Sequence, residues 1–168
     1  MPQTRGSATP PRAFLSKALD VCVPFNTLYR HLPILRPCLG PRDSALLLAP
    51  CARSGRPGRR TGLRNLLLLT RFRLVITSES RLLRRLRLHL NADLNQLAEV
   101  AWTPEPEQGA VQLAATAIDG VREHLWIKVG AIDRVWRLDS LLRDAFAARP
   151  IMATGPFLPH AGYHPAIA

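Results

Sequence analysis

Apolar side chains change their spacing once along the chain, and this change predicts a helix followed by a β-rich domain. Residues 12–32 carry apolar positions at helical spacing, which predicts a helix that ends or kinks at Pro24 and a second short turn after it. From residue 44 onward, short segments alternate apolar and polar positions, as half-buried strands do. The side chains expected on one face of the first helix are Phe14, Leu15, Ala18, Leu19 and Cys22.

Six or seven strands are predicted between residues 44 and 129, followed by one closing helix. Over residues 85–90 leucines alternate with basic side chains, which predicts a half-buried strand with a basic polar face. Asp119–Gly120 predicts a tight hairpin turn with positive φ at both central positions. The closing helix follows Asp133 as N-cap, and its apolar stripe comprises Val135, Leu138, Leu141, Leu142 and Ala145. Because strands do not alternate with long helices, we expect no parallel sheet.

Positive charge is concentrated in one segment of the chain. The net charge is +11, yet residues 53–87 alone hold eleven arginines and one acid, so the rest of the chain is nearly neutral. A compositional bias would explain arginine in place of lysine, but not the excess of basic over acidic residues. A basic patch attracts nucleic acid, acidic lipid or an acidic protein face. The candidate anion-binding residues are Arg53, Arg56, Arg59, Arg60, Arg64, Arg71, Arg73, Arg84, Arg85 and Arg87.

The stretch Asn65–Thr77, followed by Ser80–Arg85, resembles bacterial pleckstrin-homology-like (PH-like) domains. These domains show an apolar strand, a Thr-x-x-Arg-Leu corner, a second strand, and then a turn and a basic strand. Here the corner residues are Thr70, Arg73 and Leu74. The resemblance covers residues 40–148 and implies an α+β, mainly β fold: an antiparallel barrel of two bent sheets closed by a C-terminal helix.

The resemblance also implies a binding or scaffolding role rather than catalysis. In eukaryotic relatives, basic residues in the loop between the first two strands often hold inositol phosphates. The comparable loop of this chain carries Arg53, Arg56, Arg59 and Arg60.

Composition divides the chain into four parts. We expect a disordered tail at 1–10, a helical extension at 11–36, the PH-like domain at 37–149 and a Pro-rich irregular tail at 150–168. The extension fits either a helix packed on the domain or an interfacial helix on a membrane. Residues 1–10 have no secretory h-region, and no apolar run reaches the roughly 18–20 residues of a spanning helix. Three cysteines without a CxxC pair indicate reduced thiols. We therefore expect a cytoplasmic protein, peripheral at the inner face of the membrane.

Motifs for catalysis, cofactors and metals are missing from the sequence. It contains no Gly-x-Ser-x-Gly elbow, no Walker loop and no Gly-x-Gly-x-x-Gly. His160 and His164 stand four apart, but flanking prolines break the segment, so we expect no metal site there. His89 and His124 are expected to be surface strand residues. We predict a protein that is not an enzyme, with no cofactor, no metal and no evident small-molecule substrate.

Three binding functions remain open. The first is an adaptor whose arginine-rich face contacts an anionic membrane surface or an acidic protein partner. The second is a nucleic-acid-binding protein that uses the same arginines on phosphates, although no recognisable reading helix carries them. The third is a structural or assembly module. The three tryptophans, Trp102, Trp126 and Trp136, are expected to pack in or beside the core rather than to stack on bases.

Overall fold

Seven strands and two helices make up most of the chain that the structure describes. The computed structural model describes residues 14, 16, 17, 20, 21, 23–40, 43–53, 65–80 and 85–147. The elements are α1 Phe25–Leu35, β1 Ala45–Arg53, β2 Asn65–Thr70, β3 Arg73–Glu79, β4 Leu86–Asp93, β5 Ala98–Glu105, β6 Ala110–Thr116, β7 Arg122–Lys128 and α2 Ile132–Ala147. Both predicted tails, with His160 and His164, lie outside the described residues, as do the segments 54–64 and 81–84 with their arginines.

The strands form one antiparallel sheet in the order β4-β3-β2-β1-β7-β6-β5. β1 belongs to both halves of this sheet, because Ala45–Cys51 pairs with β2 whereas Cys51–Arg53 pairs with β7. The sheet bends at this shared strand, and inward side chains from both halves meet in one hydrophobic cluster. The predicted mainly antiparallel architecture with a C-terminal helix is therefore confirmed.

A run of four leucines explains why β2 is buried on both faces. Side chains alternate along a strand, so Leu67 and Leu69 point into the interior cluster, while Leu66 and Leu68 point to the outer face. Such a continuous apolar run is typical of a strand that is covered on both sides. The outer face needs a covering element, and α1 supplies it.

α1, in the second half of the predicted N-terminal extension, packs on the outer face of the sheet, as the interpretation of a helix packed on the domain expects. Leu28, Leu32 and Leu35 are buried in a second cluster with Leu66 and Leu68. The helix begins directly after Pro24 and runs for 11 residues, longer than the short turn predicted there. Its outer side exposes Phe25 and Tyr29, whose rings stack with centroids 6.2 Å apart.

The strand predicted over residues 85–90 is present as β4, but a register shift makes the predicted alternation of its two faces wrong. Between Ile76 and Thr77 the pairing with β4 slips by one residue, so that the partners are Leu90 and Leu88, and His89 is the extra residue. Because the slip breaks the period of two, Leu90 packs against the interior cluster while Leu88 is 46% exposed. His89 turns inward instead of remaining a surface strand residue.

The β6–β7 hairpin exists where Asp119–Gly120 predicted it, but its turn is of another type. Gly120 has φ 78°, and no other residue of the turn has positive φ. The Gly120 N–H donates to the Ala117 carbonyl, and the Ala117 N–H to the Val121 carbonyl, both at 2.9 Å. This is a three-residue loop that ends in a left-handed glycine, rather than a two-residue turn.

The closing helix α2 packs its predicted stripe into the interior cluster, with Val135, Leu138 and Leu142 fully buried. Asp133 lies in the first turn of the helix rather than at its N-cap. On the same helix, the buried carboxylate of Asp139 accepts a hydrogen bond from Trp102 Nε1 at 2.9 Å. Trp102 and Trp126 pack as expected, whereas Trp136 is exposed.

Candidate functional site

The barrel has two chemically different ends. The polar end comprises the strand termini Arg53, Asn65, Glu79, Leu86, Thr116 and Arg122. The helix end comprises the opposite termini, Ala45, Thr70, Arg73, Asp93, Ala110 and Lys128, next to the start of α2. The strand pairings place the termini of each end next to one another on neighbouring strands.

The Thr70 corner lies at the helix end and closes the β2–β3 hairpin. Thr70 Oγ1 accepts hydrogen bonds from the backbone N–H of Phe72 and of Arg73, at 3.2 and 2.9 Å. Arg73 pairs there with Asp93 at 3.0 Å. Arg71 and Arg73 are thus separated from the polar end by the length of β2, about 17 Å at the usual strand rise. The structure does not bring these two arginines together with the other candidates.

A buried carboxylate organises the polar end. Glu123 is 6% exposed and points inward from β7. Its two oxygens accept hydrogen bonds from Arg53 Nε and Nη2 at 3.0 and 3.1 Å, a bidentate pair. His89 Nε2 lies 3.0 Å from Glu123 Oε1. Because these side chains come from β1, β4 and β7, the network ties the two halves of the sheet together across the barrel.

Other acids of the polar end are also paired with arginines. Arg30 on α1 contacts Glu79 at 2.5 Å, and Arg122 contacts Glu99 at 2.6 Å. The charge of Arg53 is likewise compensated by Glu123. Within the described residues, Asp119 in the β6–β7 turn is the acid of this end that pairs with no arginine; its Oδ1 accepts a hydrogen bond from the Val121 N–H at 3.0 Å.

Arg85 and Arg87 are the exposed candidate cations of the polar end. Both side chains are exposed, and neither has an acidic partner among the described residues. Arg87 pairs with Ser78, and Ser78 with Asn65, so the three residues share the inward-facing side at the mouth of the barrel. The segments 54–64 and 81–84, which join strands that terminate here, contain six arginines and no acid.

Sequence reasoning missed Glu123 and His89. Glu123 is in phase with Leu125, Ile127 and Val129, which are all buried, so its position in the alternation signalled an inward carboxylate. His89 carried no comparable signal, because its orientation depends on the register shift in β4.

The two thiols in the described part of the chain, Cys38 and Cys51, are buried. Burial raises the pKa of the Cys51 thiol to about 12 and also raises that of Cys38, so both favour the protonated form. Among the described residues, no group of three or more His, Cys, Asp or Glu side chains is placed to hold a metal ion. No helix in the described part is long and apolar enough to cross a membrane.

Strand order, the bend at β1, the Thr70 corner and the closing helix together match the architecture that the sequence resemblance implies. The chain has a PH-like fold. No protein-family model and no curated protein matches its sequence.

PH-like domains of solved structures resemble the fold at low sequence identity. The pleckstrin homology domain from Shewanella amazonensis SB2B is 14% identical with a TM-score of 0.43, over 70% of this chain and 96% of that one. The DH/PH domains of p115-RhoGEF (R399E mutant) are 8% identical with a TM-score of 0.48, over 83% and 40%. The DH/PH domains of PDZ-RhoGEF, in complex with GTP-γ-S-activated RhoA, are 14% identical with a TM-score of 0.45, over 62% and 30%. This chain therefore spans less than half of the two exchange-factor chains.

Proposed function

We propose that this protein is a non-enzymatic binding module whose polar end contacts an anionic surface, either of a membrane or of an acidic protein. The observation that carries the proposal is the uneven compensation of charge. Glu79, Glu99 and Glu123 are each paired with an arginine, whereas Arg85 and Arg87 are exposed without an acidic partner in the described part of the chain. In the sequence, the adjoining segments 54–64 and 81–84 contain six further arginines and no acid.

Charge alone supports only weak attachment to a membrane. Each basic residue near an acidic bilayer contributes about 1 kcal/mol. If roughly five of these arginines face the surface, the total of about 5 kcal/mol corresponds to a dissociation constant on the order of 0.1–1 mM. A reversible contact of this kind suits an adaptor. Stable attachment to a membrane needs a second source of binding free energy.

Removing the N-terminal extension is a poor test of this contact. α1 covers Leu66 and Leu68, so a chain that lacked it would expose an apolar sheet face and aggregate. Substitutions of exposed arginines leave the core intact and test the charge directly.

The decisive experiment is co-sedimentation of the full chain with phosphatidylserine-containing vesicles and with neutral phosphatidylcholine vesicles. The double variant R85Q/R87Q should bind the anionic vesicles about 30-fold more weakly at low salt, from two losses of about 1 kcal/mol each. The matched control R71Q/R137Q removes two exposed arginines away from the polar end and should lose much less. Parallel binding to poly-glutamate tests the acidic-protein form of the proposal.

Equal losses in the two double variants would overturn the assignment to the polar end. Absence of binding to both anionic vesicles and poly-glutamate would overturn the proposal as a whole. Ready displacement from vesicles by duplex DNA would indicate a nucleic-acid target instead.

A further inference from the structure

A cavity lies beside α2 at the helix end of the barrel, away from the polar end. It has a volume of about 110 Å³ and lies between α2, the start of β1, the residue after β7 and the predicted N-terminal extension. Leu46 and Leu141, which are partly buried, line its outer part. Four buried aliphatic side chains, between 3% and 8% exposed, form its inner walls: Val21, Leu47, Val129 and Leu138.

The size and the walls of this cavity suit a small apolar group. Protein interiors are close-packed, so a cavity with aliphatic walls offers dispersion contacts on several sides to a group that fills it. An apolar cavity of about 150 Å³ with similar walls binds a benzene molecule. By this comparison, the cavity beside α2 accommodates a short branched alkyl group.

The opening of the cavity is basic. Three cations line it, Lys17, Arg134 and Arg137, together with one carboxylate, Asp20. Lys17 and Asp20 lie 3.8 Å apart, beyond hydrogen-bonding distance, and their side chains are 39% and 55% exposed, so this surface pair is weak. Positive charge therefore exceeds negative charge at the opening.

Arg137 is placed to receive an anion. Its side chain is exposed and forms no ion pair with an acid in the described part of the chain, whereas Arg143 on the same helix pairs with Asp139 at 2.6 Å. Arg134, Arg137, Leu138 and Leu141 have the spacing of one helix face, so the cationic and apolar groups of the cavity are neighbours on α2. A guanidinium group binds a carboxylate through two parallel hydrogen bonds.

We infer that this cavity binds a small carboxylic acid. Its branched alkyl group enters among Leu47, Val129 and Leu138, and its carboxylate accepts hydrogen bonds from Arg137, beside Arg134. An uncharged apolar molecule would make no use of the basic opening, and a simple anion would make no use of the aliphatic walls. Because the cavity and the polar end are at opposite ends of the barrel, this inference does not depend on the proposed function.

The main experiment is an NMR titration of the full, isotope-labelled chain with isocaproate, a carboxylate with a branched alkyl group. We expect saturable binding with a dissociation constant on the order of 1 mM, and shifts centred on Leu47, Val129 and Leu138. Isocaproamide has the same shape without the charge, so it should bind about tenfold more weakly, because a charge-assisted hydrogen bond is lost. Acetate, which lacks the alkyl group, should not saturate over the same range.

Variants of the opening test the part played by Arg137. Arg137→Gln should weaken isocaproate binding about tenfold. Arg71→Gln is the matched control, because Arg71 is also exposed at the helix end but does not line the cavity, and its affinity should equal that of the parent chain.

Variants that fill the cavity test its apolar part. Leu141→Phe places a larger side chain at a partly buried position, so it should abolish binding while the thermal unfolding midpoint stays unchanged or rises. If that variant does not fold, Val129→Ile adds a single methylene to the wall and should weaken binding severalfold.

Several results would overturn the inference. Absence of saturable binding would exclude the site, and equal affinity for isocaproate and isocaproamide would exclude recognition of an acid. Shifts centred on Arg85 and Arg87 would place the carboxylate at the polar end instead. Parent-like affinity in Arg137→Gln would remove Arg137 from the site. Each of these results leaves vesicle binding by the polar end to be decided by its own variants.

Discussion

At the scale of single residues, Glu123 has the central structural role at the polar end, because it joins side chains from three strands. Its buried carboxylate holds Arg53 through both oxygens and also contacts His89. Arg53 is therefore committed to an internal pair, and its charge adds little to the excess available for a ligand. Of the candidates predicted from the sequence and described in the structure, Arg85 and Arg87 are the two at this end that keep uncompensated charge.

Glu123→Gln should lower the free energy of unfolding by about 1–3 kcal/mol, because hydrogen bonds to a charged group are lost from three strands at once. Urea unfolding measures this change. Glu99→Gln is the matched control, since Glu99 also pairs with an arginine, Arg122, but its side chain is 70% exposed. That variant should lose less than about 0.5 kcal/mol. Equal losses in both variants would contradict the organising role of Glu123.

His31 should make stability depend on pH. Its Nδ1–H donates to Thr77 Oγ1 at 2.6 Å, and Thr77 Oγ1 donates to the Leu66 carbonyl at 3.2 Å. The pKa of His31 is lowered from 6.5 to about 4, chiefly by burial; the charge of Glu79 opposes this shift, and that of Arg30 adds to it. Between these two values the unfolded chain binds the additional proton. Stability is therefore full above pH 6.5 and falls as the pH falls toward 4, by up to about 1.4 kcal/mol per pH unit.

Urea unfolding of the parent chain and of His31→Gln over this pH range measures that contribution. The glutamine side chain keeps a donor for Thr77 but does not titrate. The unfolding free energy of the variant should fall less steeply between pH 6.5 and 4. Parallel pH profiles would show that His31 is protonated equally easily in the folded and unfolded chains.

At the scale of elements, two glycines test how the hairpins are built. Gly109 has φ 59°, and a Cβ added there would overlap the Gly130 carbonyl. Its own carbonyl accepts the N–H groups of Val129 and Gly130, at 3.0 and 2.9 Å, which joins the start of β6 to the end of β7. Gly120 has φ 78° but open space around it.

Gly109→Ala should therefore cost about 3 kcal/mol or more, because backbone strain and a backbone overlap act together. Gly120→Ala should cost about 1–2 kcal/mol, from the left-handed conformation alone. Thermal or urea unfolding of the two variants compares them. A larger loss for Gly120→Ala would mean that the contact of Gly109 with Gly130 is not a tight one.

The helix α1 is an element of the core rather than an appendage. Leu35→Ala should destabilise the protein by about 2–5 kcal/mol, as for other fully buried leucines. Tyr29→Ala, on the outer side of the same helix, should cost less than about 1 kcal/mol and leave vesicle binding unchanged. Urea unfolding and co-sedimentation measure the two quantities. Loss of vesicle binding in Tyr29→Ala would indicate that α1 also contacts the membrane.

Elements were predictable from sequence where one physical pattern governs them. The alternating strands predicted from residue 44 onward and the apolar stripe of α2 reflect burial, and the observed strands begin at Ala45 and the helix at Ile132, one residue before Asp133. β4 was mispredicted because its register depends on pairing with β3, a contact that local sequence does not encode. For the same reason His89 could not be recognised as an inward residue, whereas the phase of Glu123 in β7 was readable.

At the scale of the whole molecule, the fold divides the described arginines of residues 53–87 between two ends of the barrel. Arg71 and Arg73 lie at the helix end, whereas Arg53, Arg85 and Arg87 lie at the polar end. Closeness in sequence therefore suggested a single basic patch, whereas the structure separates Arg71 and Arg73 from the other described arginines of this segment. The polar end differs from the helix end because Arg85 and Arg87 are exposed there without an acidic partner among the described residues.

The charged contact at the polar end should respond to salt, and this response tests it. Screening shortens the Debye length from about 30 Å at 0.01 M to about 8 Å at 0.15 M, which weakens attraction to headgroups. The ratio of parent to R85Q/R87Q affinity for anionic vesicles should therefore shrink as salt rises. The corresponding ratio for the control R71Q/R137Q should stay close to one throughout. Co-sedimentation across a salt series gives both ratios, and a ratio for R85Q/R87Q that does not change with salt would mean that this variant does not act through electrostatics.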